Sequence, residues 1–252
     1  MVTRFAAVAA AAAALLTGCS HAAAPTTPPA GDPAAGNNSG WVTADQIPPP
    51  PTGTAAPSWS DGRLHPSSTI TSGDLKCAAG WILPGASGVP VMLTARHCEP
   101  EGAKRVSVAL GPGDVGVWES SWGASPDGLG DVAAVRLTLV DPAKVDSGQI
   151  AGVLPAAEVA KLAPHTPACA WLPNAGTVCG ELSGGGDTSA FLSTTAPAKF
   201  SDGDSGSPVW TLDRTGKVVA IGILSTTLTD DLAKIAYIEP AVRAYDLKLP
   251  QS

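Results

Sequence analysis

Residues 201–210 read SDGDSGSPVW, a run of small polar residues that ends in Pro, Val and Trp. Two interpretations are open. Gly, Asp and Ser are the commonest residues of turns, so the stretch can be a surface loop. Ser205 can also be a nucleophile, provided that the chain supplies a base, a carboxylate that orients the base, and N–H donors for an oxyanion. The sequence upstream has to decide between the two.

The base has one good candidate among four His residues. His97 ends the largely apolar run VPVMLTARHC, residues 89–98, and Cys98 follows it directly. We expect His97 to sit at the end of a strand, on a backbone that a disulfide holds in place. The other three, His21, His65 and His165, lie next to small or Pro residues, and a solvated surface position is expected for each.

A carboxylate lies between these two stretches, in GLGDVAAVRL at residues 128–137. Asp131 opens an apolar strand, so its charge is expected near the edge of the core, where it needs a partner such as an imidazole N–H. The alternative is a solvated turn residue, a role that fits Asp127 in Pro-Asp-Gly better.

Three short sequence motifs follow one another along the chain, around His97, Asp131 and Ser205 in that order. TARHC around His97, GDVAAVRL around Asp131 and GDSGSPV around Ser205 resemble the trypsin-like, chymotrypsin-fold serine proteases, in which each block surrounds one member of a catalytic triad. The matches span residues 77–245. The resemblance implies an all-β fold of two six-stranded antiparallel β-barrels with a short C-terminal helix, and an active site in the cleft between the barrels.

The resemblance also implies roles for single residues. Ser205 is the nucleophile, His97 the general base and Asp131 the carboxylate that orients it, while the N–H groups of Gly203 and Ser205 form the oxyanion hole. Ser225, in GILSTT, matches a residue that hydrogen-bonds the catalytic Asp in the family. Asp204 is expected to support the nucleophile loop. This chemistry needs no cofactor.

The five cysteines are expected to have two roles, one for Cys19 and another for the remaining four. An odd count of five is unusual for an exported protein, and it is explained if Cys19 carries lipid and the other four form disulfides. The resemblance implies the pairs Cys77–Cys98, beside the catalytic His, and Cys169–Cys179, across a hairpin typical of the bacterial α-lytic protease and streptogrisin branch. Because the chain has no Cys-x-x-Cys motif, no metal site is predicted.

The sequence departs from the family at three places. Arg96 replaces the small residue that usually precedes the catalytic His, and would depress the imidazole pKa if it were buried there. Ala170 replaces an Arg that pairs with the Asp before the nucleophile in bacterial relatives. Asp204 therefore lacks its expected partner, unless a new N-terminus, Lys199, Arg136 or water serves.

The third departure concerns the specificity pocket. No Cys occurs near Ser201 or after Ser225, so the disulfide that streptogrisins have beside this pocket is absent. Lys199 lies six residues before Ser205, near the place of the pocket-base residue in the trypsin branch, and could favour acidic substrates there.

The pattern of apolar and turn-forming residues along the chain independently favours an all-β fold. Short apolar runs alternate with turn signals from about residue 60 onward, and only residues 156–162 and 240–247 have spacing that allows a short helix. The formal net charge of −7 and the lack of a basic run argue against nucleic-acid binding.

The first residues predict export. Residues 1–18 have the build of a secretory signal, and Leu16-Thr-Gly-Cys19 resembles a bacterial lipobox that makes Cys19 the lipidated first mature residue. A plain signal cleaved elsewhere is the alternative. Residues 19–60, rich in Pro and Ala, predict a disordered tether, and residues 61–252 predict the protease domain. The protein is then an extracytoplasmic, membrane-anchored lipoprotein, expected to be a monomer.

Three functions remain open. The leading one is a serine endopeptidase that acts on peptide or protein substrates through an acyl-enzyme. The second is a protease-fold lipoprotein that binds a partner without turnover, suggested by Arg96 and by the unpartnered Asp204. The third is a structural lipoprotein in which GDSGSP is only a turn, and it gives no reason for Cys77 to pair with Cys98.

Overall fold

Short strands separated by turns make up most of the fold, as the sequence predicts. The computed structural model describes residues 40–47, 62–108, 113–122, 129–197 and 199–249. The predicted signal peptide, Cys19 and most of the predicted tether lie outside these residues. No helix in the described ranges has the length and apolar character needed to cross a bilayer.

The first sheet is a strongly curved, fully antiparallel half-barrel. Its seven strands follow the order β2-β1-β5-β6-β7-β4-β3, and its two edge strands do not pair with each other within the described residues. It is therefore more open than the closed six-stranded barrel that the resemblance implies. The strands are β1 Thr69–Ser72, β2 Leu75–Ala78, β3 Ile82–Pro84, β4 Pro90–Ala95, β5 Arg105–Val108, β6 Asp114–Trp118 and β7 Val132–Arg136.

The second sheet closes on itself. Six antiparallel strands run in the order β12-β9-β10-β11-β14-β13, and pairing of β12 with β13 completes the barrel. A short seventh strand, β8, adds to the outside of β13 in parallel. The strands are β8 Gly152–Val153, β9 Pro167–Leu172, β10 Gly176–Gly185, β11 Ser189–Ser193, β12 Pro208–Leu212, β13 Val218–Thr229 and β14 Leu232–Tyr237.

Helical structure is confined to short segments. The described residues contain two α-helices, α1 Ala156–Val159 and α2 Glu239–Ala244, so the predicted C-terminal helix is present and both helices are shorter than the sequence pattern allows. The 3-10 turns are Ala44–Gln46, Arg96–Cys98, Glu119–Trp122 and Pro142–Lys144. The all-β fold class is confirmed.

Three tryptophans join the two sheets in a common core. Trp81 packs edge-on against Trp171, with ring centroids 5.4 Å apart, and Trp171 packs against Trp210 at 5.3 Å. The indole N–H of Trp81, which precedes β3, donates to the carbonyl oxygen of Gly222 on β13 at 2.8 Å. Because all three rings are buried, they fix the junction at which the candidate site lies.

A segment expected to be disordered instead packs on the second barrel. Residues 40–47, here called the strap, run parallel to β8: the Val42 N–H donates to the Val153 carbonyl at 2.9 Å, and the Val153 N–H donates to the Gly40 carbonyl at 2.7 Å. Val42 and Ile47 are each only 6% exposed and join the core of the second barrel.

The predicted boundary between tether and domain is therefore wrong for the strap. The sequence placed residues 19–60 in the tether and the start of the domain at residue 61, but the fold already includes residues 40–47. The cause is burial of two isolated apolar side chains by strands more than 100 residues away, which local composition does not reveal.

Candidate active site

The first half of the site forms where β4 and β7 pair. Ala95, the last residue of β4, lies opposite Val132, the first residue of β7. Beyond this pair the Arg96 N–H donates to the carbonyl oxygen of Asp131 at 3.1 Å. This backbone pairing brings His97, in the turn after β4, next to Asp131, which precedes β7.

The Asp131 carboxylate accepts three hydrogen bonds. His97 Nδ1 donates to Oδ2 at 2.8 Å, the backbone N–H of His97 donates to Oδ1 at 3.1 Å, and the Ser225 hydroxyl donates to Oδ2 at 2.7 Å. Because a carboxylate can only accept, Nδ1 carries the imidazole proton and Nε2 is left as the basic nitrogen. Ser225 comes from β13, so both sheets contribute to this cluster.

The two ionisable groups shift each other in opposite directions. The hydrogen bond from His97 to Asp131, together with the carboxylate charge, raises the imidazole pKa above its ordinary value although partial burial opposes this. Burial acts to raise the pKa of the Asp131 carboxyl, but the hydrogen bonds from His97 and Ser225 and the nearby imidazole outweigh it, so this pKa is lowered. Both shifts favour an imidazolium–carboxylate pair.

The predicted disulfide lies directly beside this histidine. Cys77 and Cys98 are bonded, and a ring nitrogen of His97 lies within 4.8 Å of both sulfur atoms. This grouping of one His and two Cys is no metal site, because sulfur atoms in a disulfide are not thiolate ligands. The second predicted disulfide, Cys169–Cys179, joins directly opposed residues of β9 and β10.

Arg96 does not disturb the imidazole. Its side chain is exposed to solvent, and the shift in the His97 pKa comes from Asp131 and burial. The depressed pKa that a buried cation would cause is therefore not found, and Arg96 is a surface residue.

The nucleophile loop, residues 200–206, is pressed against the first sheet. The Ala78 N–H, next to the disulfide, donates to the carbonyl oxygen of Ser205 at 2.7 Å. A Cβ on Gly206 would clash with the Thr94 hydroxyl and the Ala78 carbonyl, and would come within 3.3 Å of the Ala95 nitrogen. Ser205 is thus held against the end of β4, the strand that leads into His97.

The proposed oxyanion donors have the backbone expected of them. Gly203 has φ +92°, a left-handed conformation that favours glycine. Within the described residues, the N–H groups of Gly203 and Ser205 donate to no other protein atom. Two free N–H groups separated by one residue in a tight loop can bind a developing negative charge.

The Asp204 carboxylate is buried, and Ser201 is its one hydrogen-bond partner among the described residues. Asp204 is 1% exposed, and its Oδ2 accepts hydrogen bonds from the N–H and the hydroxyl of Ser201 at 2.8 and 3.1 Å. Oδ1 has no partner among the described residues. Burial raises the pKa of this carboxyl, and the two Ser201 bonds only partly oppose the effect.

The cations suggested by the sequence do not fill this gap. Arg136 forms a two-pronged ion pair with Glu119, at 2.7 and 3.0 Å, and Ala170 is a fully buried residue of β9. Lys199 is exposed and lies near Asp231. Ser201 is the partner that sequence reasoning missed. Its spacing of three residues before Asp204 is that of a capping box, the signal that could have revealed it.

Two backbone hydrogen bonds reach the tip of the β13–β14 hairpin, in a region where the streptogrisin disulfide is absent. The Phe200 N–H donates to the Asp230 carbonyl at 3.0 Å, and the Thr194 N–H donates to the Asp231 carbonyl at 2.8 Å. The tip of the β13–β14 hairpin is thereby attached to the segment that precedes Ser205. Lys199 lies at this junction on the solvent side.

Comparison with solved structures identifies the architecture. A serine protease of Nocardiopsis superimposes with a TM-score of 0.55 at 21% identity, and protease A of Thermobifida fusca with 0.56 at 19%. Each match covers 75% of this chain and 100% of the other. The chain has the chymotrypsin fold of bacterial serine proteases.

A third similar structure is a serine protease described as specific for glutamic acid, with a TM-score of 0.56 and 21% identity over 74% of this chain and all of the other. No family model matches the sequence, and neither does any curated protein. At these identities the chymotrypsin fold is what the chain shares with its neighbours, and its chemistry has to be argued from its own side chains.

Proposed function

We propose that the protein is a serine endopeptidase that cleaves peptide or protein substrates with Ser205, His97 and Asp131. One observation carries the proposal: the Asp131 carboxylate is held by His97 Nδ1 and by Ser225, and the carbonyl group of Ser205 is bonded to the same sheet at Ala78. A structural turn has no need of this arrangement, in which a base, its orienting group and a serine come from both sheets.

The proposed reaction has a definite sequence of proton transfers. Ser205 Oγ attacks the substrate carbonyl carbon while His97 Nε2 takes its proton, and the resulting imidazolium is stabilised by Asp131. The N–H groups of Gly203 and Ser205 bind the oxyanion. His97 then gives its proton to the leaving amine, the C–N bond breaks, and an acyl-enzyme remains. Water, activated by His97, hydrolyses this ester and restores Ser205.

The raised His97 pKa suits these steps. A more basic imidazole accepts the serine proton more readily, provided that the pH is high enough to keep it neutral in the resting enzyme. Asp131 remains ionised because its own pKa is lowered.

Active-site labelling tests the proposal. A fluorophosphonate should label the purified domain once, on the peptide that contains Ser205, and the label should disappear in Ser205→Ala and fall strongly in His97→Ala. The variant His165→Ala is a matched control, because His165 is 74% exposed and pairs with Glu181 away from this cluster. Absence of labelling in the folded wild-type domain would overturn the proposal.

We also propose that the enzyme works outside the cytoplasm, anchored to the membrane by lipid on Cys19. The support is the signal-like start of the chain, the lipobox and the even number of cysteines left for two disulfides. Expression in a bacterium should give a membrane-bound protein whose N-terminal peptide carries acyl chains. Cys19→Ala should release the protein from the membrane, and a membrane-bound, unacylated Cys19→Ala protein would contradict the anchor.

One observation favours a second function, a binding protein with the protease fold that does not turn over. In the part of the chain that the structure describes, Asp204 Oδ1 is buried with no hydrogen-bond partner, so the oxyanion loop lacks the ion pair that a cation at this carboxylate would provide. The labelling experiment separates the two functions, because a fluorophosphonate reacts only with an activated serine.

A further inference from the structure

Residues 201–204 form a turn whose first and last residues are bonded to each other in both directions. The Asp204 N–H donates to the Ser201 carbonyl oxygen at 3.2 Å. In return, Asp204 Oδ2 accepts hydrogen bonds from the N–H of Ser201 at 2.8 Å and from its hydroxyl at 3.1 Å. We call residues 201–204 the oxyanion turn, because the proposed oxyanion donor Gly203 lies within it.

The conformation of the oxyanion turn decides where the Gly203 N–H points. Gly203 has φ +92°, whereas Asp202 has a negative φ. A positive φ at the third residue alone is the mark of a type II turn, and a type I turn differs from it mainly by a flip of the peptide between the second and third residues. Because that peptide carries the Gly203 N–H, the turn type decides whether Gly203 can act as an oxyanion donor.

The chain on either side of the oxyanion turn is held by other elements. Phe200 is 2% exposed and packs in the core of the second barrel. On the other side, the Ala78 N–H donates to the Ser205 carbonyl oxygen at 2.7 Å. These contacts hold the two ends but do not choose between the two turn types. Among the described residues, the bonds between Ser201 and Asp204 are the ones that close the turn.

The buried Asp204 carboxylate depends on the same bonds. Asp204 is 1% exposed, and burial of a charge without a counter-ion is costly. In the described ranges its Oδ1 has no hydrogen-bond partner, Arg136 is paired with Glu119, and Lys199 is exposed. The two donors of Ser201 are therefore the compensation that the described residues give to this carboxylate. Ser201 takes the place that a cation would otherwise fill.

We infer that Ser201 is the positioning residue of the oxyanion hole. By binding Asp204, it holds the oxyanion turn in the type II form, with the Gly203 N–H available to the developing negative charge. The nucleophile loop then needs no cation at Asp204, neither from a Lys or Arg side chain nor from an N-terminus created by cleavage. This inference rests on the proposed function and names the group that prepares that site for reaction.

Substitution of Ser201 separates positioning from folding. Ser201→Ala removes the hydroxyl bond and keeps the backbone bond, and because Ser201 is exposed it leaves no cavity in the core. Acylation by a saturating activated peptide ester should slow about 10- to 100-fold, the effect of losing a hydrogen bond to a carboxylate. The ester concentration that gives half the maximal rate should change by less than about twofold, since oxyanion donors act in the transition state. Ser201→Thr keeps a hydroxyl and should restore the rate to within about threefold of wild type.

Ser107→Ala is the matched control for this substitution. The Ser107 hydroxyl donates to Asp114 Oδ1 at 2.9 Å on the first sheet, so this variant also loses a serine–aspartate bond but leaves the oxyanion turn intact. Its acylation rate should equal that of wild type. A folded Ser201→Ala protein that acylates as fast as wild type would overturn the inference, and so would an effect confined to the half-saturating ester concentration.

Substitution of Asp204 tests whether a cation takes part. The side-chain oxygen of Asn can accept the same two bonds from Ser201 without carrying a charge, whereas Ala offers no acceptor. Asp204→Asn should keep the acylation rate within about tenfold of wild type, because bonds to a neutral acceptor are only moderately weaker. Asp204→Ala should lower the rate by a factor on the order of 10²–10³, as loss of an oxyanion donor does. If folded Asp204→Asn is as slow as Asp204→Ala, the charge itself is required and the inference is wrong.

The intact mass of labelled protein tests whether cleavage is needed. Fluorophosphonate labelling of the Cys19→Ala protein should include molecules in which the chain is unbroken from the strap to the C-terminus. Labelling confined to molecules that are cut between residues 47 and 62 would show that a new N-terminus activates the loop, which contradicts the inference.

The wild-type protein separates the two levels of failure. If it is acylated on Ser205 while the Ser201 and Asp204 variants depart from these expectations, the positioning role of Ser201 fails and the proposed function stands. If the folded wild-type protein is not acylated, the proposed function fails and the inference fails with it.

Discussion

Replacement of Gly206 by Ala should destabilise the fold and disable the nucleophile together. Gly206 has φ +93°, which costs an alanine about 1–2 kcal/mol. The new methyl group would also lie closer than 3.0 Å to the Thr94 hydroxyl and to the Ala78 carbonyl, and the latter is backbone that cannot rotate away. Overpacking of this kind costs a further ~1–3 kcal/mol. The sum, about 2–5 kcal/mol, is a large part of the stability of a typical domain.

Thermal unfolding and active-site labelling measure the two effects. For a domain of this size we expect Gly206→Ala to lower Tm by about 10 °C and to slow fluorophosphonate labelling, since Ser205 would move away from β4. Gly216→Ala is the matched control: its φ is +78°, but a Cβ there meets nothing within 4 Å, so only the backbone cost of about 1–2 kcal/mol remains. If both variants lower Tm by the same amount, Gly206 does not pack closely against the first sheet.

Three further predictions concern the site and the strap. The labelling rate should fall as the pH drops through the His97 pKa, since only neutral imidazole accepts a proton. The midpoint of this pH profile should lie above the ordinary imidazole pKa of about 6.5. Asp131→Asn should lower the midpoint, and it should lower the labelling rate by a factor on the order of 10⁴. A midpoint at or below that value in the wild type would contradict the Asp131 bond. Ser225→Ala removes a hydrogen bond to a carboxylate, worth about 1.5–3 kcal/mol, so Tm should fall by several degrees. Labelling should slow roughly 10- to 100-fold, because Asp131 loses a group that orients it; an unchanged rate would show that Ser225 does not position Asp131. Ile47→Ala should cost about 2 kcal/mol and speed hydrogen exchange at the Val42 amide, and slow exchange there would mean that the strap is held without Ile47.

The fold and the candidate triad were accessible from sequence because their signals are local. His97, Asp131 and Ser205 each stand in a short block of fixed composition, and alternation of apolar runs with turns indicates strands without knowledge of their partners. The structure accordingly has the all-β fold and places His97 and Asp131 in contact. Both expected disulfides are formed.

Features that depend on packing between distant parts of the chain could not be predicted from the sequence. Nothing in residues 40–47 indicates that Val42 and Ile47 fit the second barrel, since the contact is made by a strand more than 100 residues away. The half-barrel form of the first sheet depends in the same way on which edge strands meet. Asp204 is an intermediate case: the lack of a cation at Ala170 was visible, whereas its bonding to Ser201 depends on how the loop turns.

If His97 and Asp131 activate Ser205 as a nucleophile, acylation of Ser205 should be visible in pre-steady-state kinetics. Mixing the domain with an activated peptide ester should give a burst of about one product molecule per protein molecule, with the acyl group on the peptide that contains Ser205. The burst should vanish in Ser205→Ala and be slowed by several orders of magnitude in His97→Ala. A folded wild-type domain that shows no burst and carries no acyl group on Ser205 would contradict the claim.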